Sequence, residues 1–460
     1  MRIHNFGVAT PVLLVIFILS IRTASPQIAT KAFLVSSDTF NVAAIQHTPN
    51  ITNNLHETDF NQVQSTSVLE MHNNKLSGNW FGVRDDLFSA GFEIDLLYKG
   101  DVFANVNEAL PNKSRTLDNI DFIISHNLQK SIGLENSKVV VHFLGNSGGA
   151  ASDLSETCQG ISNIEAAPAW KLYQLQFESS FFGEQLSVLI GLYDLNSEFD
   201  ARESSSMFIN PAHGIGTEFA LSGLNGPSIF PTTSLGIRIK YQNEEGMYFQ
   251  SAVLDGVPGN PENPYGTHIA LSKNDGLLLT AESGIEFRKD EELEYKFTIG
   301  GWRYTSGAQT LNLQRNYEPN PTLQKNYGIY FSAEKKLYTN AYNPDSKIHG
   351  FLRIGMANAD VNPVDLYFGC GLTFSSLFAE TDQFGFAAAY AHSSTHFRAT
   401  TFYAEGIVVN DFEVILEATY SFQPISWLII QPDLQYVINP TFCAHKHSSL
   451  LFGSRIILTI

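Results

Sequence analysis

After its first 25 residues the sequence has no apolar run that approaches the ~20 residues of a transmembrane helix. Charge is also scarce: charged residues make up 16% of the chain, against about 25% in a typical soluble domain. The formal net charge of -18 excludes a general nucleic-acid-binding protein, because phosphates bind basic surfaces. These absences argue against helical membrane proteins and against basic proteins that bind anionic lipid.

Cysteine is rare as well, with Cys158, Cys370 and Cys443 far apart and no C-x-x-C motif. This spacing does not predict a zinc or redox site. One disulfide remains possible in an oxidising compartment, although small buried or lipid-facing cysteines are the favoured interpretation. We expect no catalytic residue, metal or cofactor.

The first 25 residues have the features of a secretory signal. Arg2 supplies a basic start, residues 12–19 form an apolar core, and small residues follow before Pro26. A retained N-terminal anchor is the alternative. Residues 26–75 are polar and aperiodic, which predicts a flexible periplasmic extension. Residues 76–460 are predicted to form one domain.

What the remaining chain does have is strict alternation of apolar and polar residues. Residues 235–241 read LGIRIKY. Because successive side chains of a strand point to opposite faces, Leu, Ile, Ile and Tyr share one face here, and Gly, Arg and Lys share the other. This pattern recurs, with turn signals between the repeats, from Phe92 to Ile460.

The alternation behind an export signal predicts an all-β, transmembrane antiparallel β-barrel of about sixteen strands. Closure is required, because an open sheet edge in lipid leaves backbone groups without partners. A barrel of this size encloses a water-filled lumen. The alternative is a secreted soluble β-sandwich that binds carbohydrate.

One connection, between strands that end near Tyr193 and begin near Leu235, is unusually long. Loops of this length are rare and usually functional. It contains both charged and aromatic residues, so we predict a constriction loop folded into the lumen. An extracellular loop outside the pore is the alternative.

Several segments carry a further pattern in a fixed order. Residues 78–84 read GNWFGVR, and the later segments are 162–166 (SNIEA), 191–199 (GLYDLNSEF), 208–211 (FINP), 231–238 and 427–440 (WLIIQPDLQYVINP). Together they resemble the carbohydrate-selective outer-membrane porins of the OprB family, whose opening motif is G-x-W-G-G-x-R; Phe81 stands in place of a motif glycine. The resemblance covers residues 76–460.

The resemblance implies a sixteen-stranded porin of the bacterial outer membrane that passes mono- or oligosaccharides by diffusion, surrounded by lipid, as a monomer or a homotrimer. One alternative is a general or ion-selective porin without sugar preference. Another is a barrel enzyme, which would need a nucleophile beside a base; no such motif stands out.

A sugar-selective lumen needs hydrogen-bonding groups and aromatic faces along the path of the solute. Charged side chains suit the hydroxyl groups, because charge-assisted hydrogen bonds are stronger than neutral ones. The candidate contacts at the constriction are Arg84, Glu165, Asp194, Arg238, Lys240 and Glu282, with Trp170 and Phe208 as possible platforms for the sugar ring. Each charge could instead pair with a neighbour in the lumen wall.

Overall fold

The structure is a computed structural model that describes residues 74–106, 114–311 and 321–460. The predicted signal segment and nearly all of the predicted periplasmic extension lie outside the described residues. Within them, no helix is both long enough and apolar enough to cross a bilayer.

Sixteen antiparallel strands form a closed barrel in which each strand pairs with its neighbours in sequence and β1 pairs with β16. This confirms the predicted fold class and strand number. The strands are β1 Phe92–Asn105, β2 Ser114–Asn127, β3 Ser137–Gly148, β4 Ala169–Phe181, β5 Leu186–Tyr193, β6 Ser234–Gln242, β7 Met247–Asp255, β8 Leu277–Lys289, β9 Glu292–Gln309, β10 Leu323–Thr339, β11 Lys347–Ala357, β12 Val364–Ser375, β13 Gln383–Ser393, β14 Phe412–Ile425, β15 Leu428–Ile438 and β16 Ser449–Thr459.

Helices occur only between or before the strands of the described chain. The α-helices are α1 Val83–Ser89, α2 Leu128–Ile132, α3 Thr217–Ala220 and α4 Thr395–Glu405, and the 3-10 helices are Trp80–Gly82, Ser152–Leu154, Leu195–Ser197, Pro211–His213 and Pro440–Phe442.

The two faces of the barrel wall differ as the alternation predicts. On β6, Ile237 and Ile239 are about half exposed on the outer face, whereas Arg238 between them is 2% exposed and faces the lumen. Placing the apolar face in lipid is favourable because it keeps hydrocarbon away from water, while the polar face borders the interior.

The two ends of the barrel carry different connections. At one end the strands are joined mostly by short turns, such as residues 243–246 and 290–291, and at the other by longer loops. Outer-membrane barrels have short periplasmic turns and longer extracellular loops. The short-turn end is therefore the periplasmic end, and α1 and Ile460 lie there.

Strand β4 departs from simple alternation at one residue. His142 of β3 pairs with Gln174 and Phe143 pairs with Leu172, so Tyr173 is skipped as a β-bulge. Tyr173 is buried while Leu175 and Phe177 are exposed. Simple alternation predicts one shared face for these three residues. The structure differs because the extra residue of the bulge reverses the alternation beyond it.

Two extracellular-end loops run inside the barrel. The first, residues 149–168, joins β3 to β4, and the second, residues 194–233, joins β5 to β6; we call them the short inner loop and the long inner loop. Most of their residues are buried. The sequence analysis predicted inward folding for the long inner loop alone.

Candidate solute pathway

The long inner loop is held by carboxylates that project from the barrel wall. Glu417 of β14 accepts hydrogen bonds from the backbone N–H groups of Ile209 (2.7 Å) and Asn210 (3.0 Å). Glu334 of β10 accepts one from Ser204 N (3.0 Å). Because a buried backbone N–H without a partner is costly, these carboxylates determine where the loop can lie.

Arg353 of β11 is a fully buried cation beneath the long inner loop. Its Nε and Nη2 donate to the two carboxylate oxygens of Asp200 at 3.2 and 2.8 Å, and its Nη1 donates to Glu218 Oε2 at 2.6 Å. All three side chains are fully buried. The guanidinium also lies 5.4 and 5.1 Å from the ring centres of Tyr330 and Tyr367. Arg353 therefore ties two separate points of the long inner loop, Asp200 and Glu218, to the barrel wall.

The short inner loop is anchored in the same way. Glu413 of β14 accepts hydrogen bonds from Thr157 Oγ1 (2.6 Å) and from Cys158 N (3.2 Å). Gln435 of β15 donates to the carbonyl oxygen of Ile161 (2.9 Å). Sequence reasoning missed this loop, although the connection between Gly148 and Ala169 is also long.

The two inner loops also bond to each other. Asn163 N donates to Ile209 O (2.9 Å), and Asn163 Nδ2 donates to Phe208 O (3.2 Å). Asn210 Nδ2 in turn donates to Gly160 O (2.8 Å). The loops therefore form one layer across the lumen, within which motif residues of both loops meet.

Three predicted site residues lie in this layer. Burial raises the pKa of Glu165 to about 7 although hydrogen bonds from Ser152 lower it. Burial likewise raises the pKa of Asp194 to about 6, with an opposing hydrogen bond from the hydroxyl of Tyr173 at 2.7 Å. Phe208 is buried, and its ring centre lies 5.8 Å from that of Phe351.

Three more predicted residues, Arg238, Lys240 and Glu282, lie on the wall. Arg238 donates to Glu198 Oε2 and to Glu178 Oε1, both at 2.7 Å. Glu282 accepts Asp200 N (2.8 Å), as well as the hydroxyl groups of Tyr248 and Tyr330. Lys240 follows Arg238 by two positions on the same strand, so it shares its face.

The remaining two predicted residues lie elsewhere. Arg84 donates to Ile460 O at 2.9 Å and stacks over Trp80, at the periplasmic end where β1 meets β16. Trp170 is 64% exposed on the outer face, where its ring covers Gly145. We carry neither residue into the proposed site, because Arg84 lies at the periplasmic end and Trp170 lies on the outer face.

Aromatic side chains that face inward from the strands are covered by the long inner loop. Trp302 of β9 stacks on Phe219 with ring centres 4.8 Å apart, and Tyr367 of β12 donates to Ala212 O at 2.5 Å. These rings serve packing. Within the described residues, no group of three His, Cys, Asp or Glu side chains is arranged to hold a metal ion.

Comparison with known proteins is consistent across sequence and structure. The family model described as "Carbohydrate-selective porin, OprB family" matches residues 111–459. Porin B of Pseudomonas aeruginosa is 20% identical over 410 residues, which cover 82% of this chain and 90% of that protein.

Solved structures share the fold. The high-pH structure of Pseudomonas putida OprB matches with a TM-score of 0.75 at 19% identity, covering 84% of this chain and 98% of that chain. The low-pH structure of the same protein matches with a TM-score of 0.55 at 16% identity, with the same coverage.

Proposed function

Because this chain belongs to the OprB family of carbohydrate-selective porins, we propose that its two inner loops and the adjoining wall form the filter through which it selects its solutes. The protein is a β-barrel channel of the bacterial outer membrane, through which carbohydrates diffuse passively. The match of the family model over residues 111–459, on a closed sixteen-stranded barrel, is the observation that carries this conclusion.

The layer of inner loops supports a constriction. The two loops bond to each other and to opposite parts of the wall, from Glu282 on β8 to Gln435 on β15. A sixteen-stranded barrel without such a layer is wide enough for an aqueous channel of low selectivity. We propose that the loops narrow this channel to the size of a sugar.

The ion pairs beside the long inner loop are the proposed solute contacts. Glu178 and Glu198 are each 18% exposed while Arg238 between them is buried. Their carboxylate oxygens can accept sugar hydroxyl groups, and pairing with Arg238 keeps the local net charge low. Binding must also stay weak for the solute to leave, and exposed oxygens at the edge of a structural ion pair satisfy both needs.

We propose that transport involves no bond-making or bond-breaking step and no cofactor. The partners are the transported mono- or oligosaccharide and the lipid around the outer face. Each chain encloses its own lumen, so one chain forms one channel, in a monomer or in a homotrimer.

Liposome swelling tests the function directly. Vesicles that contain the purified protein are expected to swell in isotonic monosaccharide solutions, and vesicles without it are not. A wild-type protein with no sugar permeability would overturn the proposal.

Planar-bilayer conductance separates a sugar-selective pore from a general or ion-selective one. In a selective pore, added glucose occupies the filter and lowers the ion current in a saturable way. A current that falls only with the viscosity and conductivity of the solution would favour the general porin.

A further inference from the structure

A row of polar side chains on β2, β3 and β4 lines the wall next to the residues that hold the inner loops. Asp121 and His142 face the lumen on β2 and β3, and Gln174, Gln176 and Glu178 follow on β4. Their inward direction follows from pairing and alternation: Gln174 is opposite His142, and Leu175 and Phe177, which alternate with the β4 residues, are exposed on the outer face. We call these five residues the polar track.

The inner loops leave the polar track without hydrogen bonds. Loop groups bond to wall residues on strands from β5 to β16 and, on β1 to β4, to residues outside the track: Asp101, Asn105, Arg115, Asn146 and Tyr173. Among the described residues, no hydrogen bond runs from either loop to the five track residues. The three β4 residues of the track are partly exposed, so a solute in the lumen can reach them.

The track has hydrogen-bonding capacity that the protein does not use. Gln176 Oε1 has no hydrogen-bond partner among the described residues, nor has Nδ2 of Asn119, which lies two positions before Asp121 on β2 and is 1% exposed. Buried polar atoms are normally paired. An unpaired acceptor and an unpaired donor on one wall segment indicate a place where another molecule supplies the partner.

Each end of the track is fixed by ion pairs. At one end Asp121 accepts from Lys99 Nζ (2.8 Å) and is 2.9 Å from His142 Nε2. At the other end Glu178 is paired with Arg238. The two glutamines lie between these clusters, and an amide presents both a donor and an acceptor, which matches a hydroxyl group that both donates and accepts.

We propose that sugars pass along the polar track and that Gln174 and Gln176 determine specificity by reading individual hydroxyl groups of the solute. This inference rests on the proposed sugar-porin function and deepens it. It replaces the aromatic platforms expected from the sequence, because Trp170 faces outward and Phe208 is packed against Phe351. Recognition then depends on hydrogen bonds and not on stacking against a ring face.

The test compares glucose with its 2-, 3- and 6-deoxy forms as blockers of single-channel current. In the wild type, at least one deoxy sugar is expected to block about 2- to 10-fold less strongly than glucose, the range that one ordinary hydrogen bond gives. In Q174A or Q176A that difference is expected to disappear. Q383A is the matched control, since Gln383 is exposed at the periplasmic end of β13.

The outcomes separate the inference from the function on which it rests. If the wild type passes no sugar, the proposed function falls and the track falls with it. Suppose that the wild type passes glucose but every deoxy sugar blocks as strongly as glucose, or that Q174A and Q176A behave like Q383A. Sugar transport then stands and the proposed role of the polar track is overturned. Thermal unfolding of Q174A and Q176A in detergent, which should match that of Q383A, checks that any loss in the glutamine variants does not reflect a misfolded wall.

Discussion

The part of the barrel wall beneath the inner loops and the part that carries the polar track both present polar side chains to the lumen, but these side chains differ in their hydrogen-bond partners. Beneath the loops, Arg353 is fully buried and donates its hydrogen bonds to Asp200 and Glu218, which are fully buried as well. Along the track, Gln176 keeps an acceptor without a partner in the protein. The difference teaches that a charged residue in a porin lumen indicates a solute contact only where tertiary structure leaves it some capacity.

The largest effect is expected from breaking the loop-covered side at its most buried point. R353A leaves Glu218 as a buried charge without its cation and leaves Asp200 with Arg202 alone, and removing one partner of a buried ion pair costs about 3–5 kcal/mol. The long inner loop should detach, so that single-channel conductance rises and block by glucose weakens.

The control for this prediction is R303A, because Arg303 is an exposed residue on the outer face of β9. It should leave conductance unchanged. An R353A channel with the conductance of the wild type would show that the ion pairs are not what holds the loop in the lumen.

A smaller change on the same side is expected from Y367F. The substitution removes the hydroxyl that donates to Ala212 O and keeps the ring, so the free energy of unfolding should fall by about 1 kcal/mol. Thermal unfolding in detergent measures this, with Y327F on the outer face as the control. If Y367F lowers the stability without changing the block by glucose, the hydrogen bonds beneath the loop serve folding and not solute binding.

The short inner loop should respond to pH. The pKa of Glu165 is raised to about 7 by burial, so its carboxyl binds protons more tightly in the folded loop than in the unfolded chain. The associated stability is complete below the unfolded pKa, near 4.5, and is lost as pH rises through about 7. Amide hydrogen exchange of residues 152–165, corrected for the intrinsic rate, should therefore be faster at pH 8 than at pH 5.5.

E165Q should remove most of this pH dependence, because a neutral amide replaces the titrating carboxyl. E245Q, in the exposed turn between β6 and β7, should not. A loop that is equally protected at both pH values in the wild type would contradict the prediction.

The smallest effect is expected from W170A. Trp170 lies on the outer face over Gly145, so its removal should leave both conductance and glucose block unchanged, with only a small loss of stability. A changed glucose block, measured in the same bilayer assay, would return Trp170 to the list of solute contacts.

The family motif at residues 78–84 shows why a resemblance does not by itself locate a pore. Phe81 replaces a glycine there and has a φ of 58°, a conformation that glycine adopts most easily. Arg84 bonds to Ile460 O, so the motif residues contact the place where the first and last strands meet. Short sequence spacing placed Arg84 in a motif but could not show that its partner is 376 residues away.

Inner-loop residues were only partly predictable. The length and mixed composition of the long inner loop indicated inward folding, whereas the short inner loop was missed. Of the wall residues, Arg238 and Glu282 could be placed on the lumen face from alternation alone. Their partners Glu198 and Asp200 could not, because pairing depends on how a loop returns to the wall.

The sequence by itself determined the barrel, its strand number of about sixteen and, apart from the bulge in β4, which face of each strand meets lipid, because period-two alternation is a local property of each strand. Only the tertiary structure decided which charged side chains in the lumen are paired with partners inside the protein. Arg353 meets Asp200 across 153 positions of the chain, and such pairs form only once the barrel has closed and the loops have folded into it. The physical reason is that contact with hydrocarbon favours an apolar side chain at each outward position independently. A hydrogen bond in the lumen, by contrast, forms only when two distant segments are brought into the right geometry.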